Sequence, residues 1–257
     1  MANLNSIFDQ DNYQKWLCAM NGYAYVSSVY EGIYDHLKRG GHLIRALDDK
    51  NIKELVSEKV IQNIVIAYIE DFEKLEDESS MIHQLLERRN HQEIDQLIWF
   101  VWTLRKKGDT KVQDKVFALW PRILDVINTT TREGKKLASK LCTWSVFIDE
   151  VDEKNKPLLL SIAPFAEEDY NSHELLESIA NISKMQPFEA YEIWLRLLEG
   201  ACPDFPEEAV RTALANLVQA GPVGLRNAKA IVSKYIESGN ERPSSWLSEI
   251  TAGAQNS

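Results

Sequence analysis

The chain has 257 residues, 44% hydrophobic and 26% charged, and its net charge of -10 divides as -4 over residues 1–128 and -6 over residues 129–257. Neither half is a basic domain, no run approaches the roughly 18 uncharged apolar residues of a membrane span, and the opening MANLNSIFDQDNYQ lacks the basic start and apolar run of a secretory signal. Cys18, Cys142 and Cys202 lie far apart and form no CxxC pair, which argues against a disulfide framework or zinc ribbon and for a reducing, cytoplasmic setting.

Apolar residues recur at helical spacing almost throughout, and no window alternates as a half-buried strand does. A long helix is expected over 12–38, where Tyr13, Trp16, Met20, Tyr30 and Leu37 lie near a 3.6-residue repeat, and Gly40-Gly41 stops it. A short helix over 42–48 follows, then 52–75 opened by Asn51 with Glu54, 80–89, and 91–107 ended by Gly108. The remaining helices are expected over 110–128, 131–150, 156–163, 172–184, 187–199, 206–219, 223–238 and 244–250. Thr130-x-x-Glu133 and Asp204-x-x-Glu207 fit capping boxes, Pro187 and Pro206 suit first turns, and Gly200, Gly221 and Gly239 fall at ends. No Gly/Ser-rich or Pro-rich linker divides the chain, so 1–251 reads as one domain and the small polar stretch 252–257 as a disordered tail.

An internal repeat suggests the architecture. Residues 116–125 read VFALWPRILD and residues 190–199 read AYEIWLRLLE, matching in apolar, aromatic, Trp, Arg and acidic positions at an offset of 74 residues. That offset is two periods of about 37, and the expected helix pairs begin at intervals close to that period. The fold class expected is all-α: a right-handed α-solenoid of HEAT-like helix pairs, each burying its open face on the next. A compact multi-helix bundle is the alternative.

Ile98-Trp99-Phe100, Val116-Phe117-x-Leu119-Trp120, Ala163-Pro164-Phe165, Asp169-Tyr170 and Gly239-Asn240-Glu241 carry a resemblance over about residues 90–250. This stretch resembles the helical C-terminal arms of large bacterial NTPases and related antiviral-defence proteins. The resemblance implies an arm that senses a foreign protein or holds an assembly together. No NTP-binding motif accompanies it, so only the arm is carried over.

Chemistry-bearing motifs are missing. GxxxxGK[ST], GxGxxG, HExxH and GxSxG do not occur; of the histidines His36, His42, His83, His91 and His173, the pair His36 and His42 flanks Gly40-Gly41 with no acid or thiol at ligand spacing beside it, and His173-Glu174 lacks a second His four residues on. The carboxylate runs Asp149–Glu153 and Glu167–Asp169 lack the ordered alternation of a cation-binding loop. No metal or cofactor is expected. Catalytic groups need not be adjacent in sequence, so a motif-less helical enzyme is one alternative. The other is a nucleic-acid-binding helical repeat using Arg105–Lys107 and Lys135–Lys140, which the uniform acidity disfavours.

The seven tryptophans are the most informative residues. Trp120 and Trp194 hold matched repeat positions and should be buried; Trp16, Trp144 and Trp246 lie on apolar helical faces. In 91–107, Ile94, Leu97, Ile98, Phe100, Val101 and Leu104 form the core face. Trp102 lies at its margin, and Trp99 points away, toward the side of Lys106 and Asp95. Either a neighbouring helix covers Trp99 or it anchors a partner. The expected function is therefore a non-enzymatic scaffold or sensor that binds another protein or other domains of a larger assembly. Trp99, Trp102 and Lys106 form one candidate surface; Glu167, Glu168, Asp169 and Tyr170 form another, suited to a basic partner.

Overall fold

The computed structural model describes residues 18, 20–22, 31–34, 44–105, 109–167 and 170–255. All regular structure among the described residues is helical, as the periodicity requires. Residues 18, 20–22 and 31–34 are helical; the rest of the helix expected over 12–38 lies outside the described residues. Contacts within the chain divide it into two compact units, Met1–Val126 and Ile127–Ser257.

The first unit is built around α1 (Glu54–Ile69), which touches α2 (Met81–Glu87), α3 (His91–Thr103) and α4 (Thr110–Val126). Apolar side chains run all round α1, the pattern of a helix covered on several sides, and Val60, Ile61, Ile64, Val65 and Tyr68 are buried. A short 3-10 helix, Ile44–Asp48, precedes it. Helix α1 ends well before residue 75. Asp71 adopts a left-handed φ of 69° and breaks the ladder. Its carboxylate meets Lys115 at 2.5 Å and Lys111 at 3.0 Å, which holds it down at about 2. Tyr68 donates to the Lys115 carbonyl at 2.9 Å, and burial, then Glu76 and Asp71, push its hydroxyl up to about 12. Ser80 caps α2 and Asn90 caps α3, each accepting from backbone N–H groups that the helix itself leaves unsatisfied. Arg88 then ties the turn between them to Glu93 at 2.7 Å and to Asp48 at 2.8 Å.

The second unit contains α5 (Arg132–Leu141), α6 (Lys156–Ile162), α7 (Tyr170–Ile182), α8 (Pro187–Leu197), α9 (Glu207–Gln219), α10 (Pro222–Glu237) and α11 (Arg242–Gln255). A 3-10 segment, Cys142–Phe147, continues α5, and another, Ala163–Phe165, continues α6. Helix α7 packs on the segment after α5 and on α9, and α9 packs on α11; α8 packs on α6 and on α10. Two rows result, with α5, α7, α9 and α11 in one and α6, α8 and α10 in the other. Helices of the first row begin 38, 37 and 35 residues apart.

Polar links keep the same rhythm. Ser145–Ser178, Ser183–Asn216, Val151–Gln186, Arg211–Glu249 and Asp204–Arg242 join residues 33, 33, 35, 38 and 38 apart. The core between the rows includes Trp144, Leu175, Ile179, Trp194, Leu214, Leu217 and Tyr235, all fully buried. Each such large side chain contributes about 1.5–3 kcal/mol through burial.

Several local expectations shift. The helix expected over 131–150 ends at Leu141 and tightens into 3-10 geometry, because Trp144 and Phe147 turn into the core. Thr131, not Thr130, caps α5 and accepts from the Gly134 N–H at 3.0 Å, while the Thr130 hydroxyl is held by Asn128. Asp204 does not cap α9; it pairs with Arg242 at 3.1 Å. Pro206 is the N-cap of α9, with extended backbone, rather than a first-turn residue. Helix α11 runs on to Gln255, into the stretch expected as a tail, and Asn256 and Ser257 lie outside the described residues.

Candidate functional site

On α3, Ile94, Leu97, Ile98, Phe100 and Val101 are buried while Trp99 is 56% exposed. The apolar stripe is already complete without Trp99, and the 100° step between helical residues turns its indole out of the contact with α1. The ring touches Phe100 edge-on, with centroids 5.1 Å apart. Trp102, three residues on, is half-buried, and Arg105 lays its guanidinium 3.7 Å above the Trp102 ring centroid. An i, i+3 spacing on a helical turn brings such a pair together.

Arg105 also donates to the Trp102 carbonyl at 3.4 Å and meets no carboxylate among the described residues. Its planar fork is thereby oriented yet free to take an anion. Lys106, the third member of this surface in the sequence reading, lies outside the described residues. Arg105 was visible in the sequence as part of a basic run; its seat on Trp102 was not.

The other surface belongs to the second unit. Glu167 is exposed, and its backbone N–H donates to the Ser139 hydroxyl at 3.3 Å. Asn171 donates to the same hydroxyl at 3.4 Å, so α5 positions the start of α7. Glu168 and Asp169 lie outside the described residues. Tyr170 is 56% exposed and its hydroxyl donates to Glu174. One turn on, His173 meets Phe205 edge-on with ring centroids 5.5 Å apart, and Phe205 is 63% exposed. Tyr170 and His173 lie one turn apart on α7 and Phe205 meets His173, so these rings form a ledge, with Glu167 shortly before the helix. Sequence reading missed His173 and Phe205 as part of it, because they are 32 residues apart and meet only when α7 and α9 stack.

The other acidic run is structural. Gln186 brackets Val151, its side chain accepting from the Val151 N–H at 2.6 Å and donating to the Val151 carbonyl at 2.8 Å. Asp152 accepts from the Lys154 and Asn155 N–H groups, and Asn155 accepts from that of Asp152 in return. Among the described residues no group of three His, Cys, Asp or Glu side chains is placed to hold a metal, and no helix is long and apolar enough to cross a membrane. Compared with known protein families, curated proteins and solved structures, the chain shows no match.

Proposed function

We propose that the chain is a non-enzymatic scaffold for protein–protein interaction, built as a right-handed HEAT-like α-solenoid with a period of about 37 residues. In this reading it works in the cytoplasm as a sensor or regulatory module, in the setting of bacterial antiviral defence that its resemblance suggests. The observation that carries the proposal is Trp99: an indole more than half exposed beside Trp102 and an oriented Arg105 that meets no carboxylate among the described residues. Trp and Arg are the residues most enriched where interfaces concentrate their binding energy. The two-row packing of the second unit and its links spanning 33 to 38 residues support the solenoid over a compact bundle.

Affinity capture from the native host tests the scaffold. A protein held by the wild-type chain and lost, or weakened by about 2 kcal/mol, with Trp99→Ala at unchanged melting temperature supports it. Capture unaffected by Trp99→Ala, or turnover in a screen with metals and nucleotides, refutes it. One observation favours a second reading, nucleic-acid binding: Arg132, Lys135 and Lys136 are exposed on α5 with no carboxylate partner among the described residues. Retention on a polyanion that falls steeply with salt and is lost on reversing these three charges is its signature.

A further inference from the structure

The two surfaces are complementary to one another. The first presents an indole and an oriented cation, Trp99 with Arg105 on Trp102; the second presents two exposed rings and a free carboxylate, Tyr170 and Phe205 with Glu167. Arg105 meets no acid and Glu167 no base among the described residues, although both are exposed and the chain forms many surface ion pairs elsewhere. Trp99, Tyr170 and Phe205 are each more than half exposed, so both surfaces are open to solvent. A second copy also carries a net charge of -10, so the contact forms against long-range repulsion and depends on the local match of rings and charge.

We infer that the chain associates with itself, the Trp99–Trp102–Arg105 face of one copy seating on the Glu167–Tyr170–His173–Phe205 ledge of another. The inference rests on the scaffold reading and names one occupant of its surface. Guanidinium–carboxylate pairing between Arg105 and Glu167 fixes the register, and Trp99 packs among Tyr170 and Phe205. The contact joins two different surfaces, so association either closes into a ring or small oligomer or continues head to tail.

Sedimentation of the full chain tests this at about 10–100 μM, the range suited to a small interface of this kind. The wild-type mass should rise with concentration above 29.5 kDa. Arg105→Glu and Glu167→Arg should each weaken association by about tenfold or more, since each sets like charges against one another. Mixing these two variants should restore dimers, because one retains the matched Glu167 and the other the matched Arg105. The double variant should self-associate again. Phe205→Ser is a second route to the ledge that leaves the charge unchanged, and circular dichroism checks that every variant keeps its helix content.

A wild-type chain that stays monomeric, single reversals without effect, or a mixture that does not dimerise would overturn the inference. Capture of a host protein that depends on Trp99 would still stand in that case, so the scaffold reading fails or survives separately.

Discussion

Trp194 on α8 and Trp99 on α3 are the same residue in helices of similar length, and their surroundings are opposite. Trp194 has 0% exposure; its indole N–H donates to the Tyr235 hydroxyl at 3.3 Å, and that hydroxyl donates to the Pro203 carbonyl at 2.6 Å. The two rings meet edge-on, 6.3 Å between centroids. Trp99 is 56% exposed and touches one ring, that of its chain neighbour Phe100. The buried Trp194 indole satisfies its N–H through this dedicated polar chain. An exposed indole needs none and leaves its apolar face to water, which is tolerable singly and informative beside an oriented cation.

The largest effect should come from breaking the buried side of this contrast. Trp194→Ala leaves a cavity between the rows and is expected to cost about 3–5 kcal/mol, and Trp120→Ala, also fully buried, should cost a similar amount. Urea unfolding measures both. A loss under about 1 kcal/mol at both positions would mean that the matched decapeptides carry no structural weight.

Tyr235→Phe probes the polar chain alone. It keeps the ring and removes the hydroxyl that links the Trp194 N–H to the Pro203 carbonyl, leaving both buried groups short of a partner. About 1–3 kcal/mol is expected. An unchanged unfolding midpoint would show that the indole N–H needs no partner there.

Trp99→Ala is the matching experiment on the exposed side. Stability should change by less than about 0.5 kcal/mol, as for other surface substitutions away from the core. A thermal shift as large as that of Trp194→Ala would place Trp99 under a covering element and remove it from any interface.

The smallest effect is electrostatic and pH-dependent. Asp71 is held at about 2 by Lys115 and Lys111, below the ordinary carboxylate value of 3.8. A depressed carboxylate stabilises the fold above its ordinary value, and that stabilisation is lost as pH falls from about 4 toward 2. Asp71→Asn keeps a residue that accepts the left-handed backbone at this position and removes the charge. The melting-temperature gap between wild type and variant should be small at pH 7 and close on acidification. A gap that widens below pH 4 would contradict the pairing.

Much of the fold was legible residue by residue. Helical periodicity located nearly every described helix because apolar positions three and four apart must share the buried side whatever lies opposite. The same rule identified Trp120, Trp144, Trp194 and Trp246 as core residues. Ends were less legible. Thr130 and Thr131 are equally good caps in isolation, and only the closure of Asn128 on Thr130 leaves Thr131 to cap α5.

The candidate site divides the same way. Angular position alone placed Trp99 outside the core stripe of α3, since the direction of a side chain from its helix is a local property. Whether another helix covers that direction depends on packing between distant segments. That packing left Trp99 open, brought no carboxylate of the described residues to Arg105, and brought Phe205 against His173. It also turned the acidic run around Val151 into a held loop, through a glutamine 35 residues away. Periodicity is encoded within each helix, whereas cover, pairing and satisfaction arise between helices. The sequence by itself therefore determined an all-helical chain and its inward faces, and only the tertiary structure decided which outward groups stayed free.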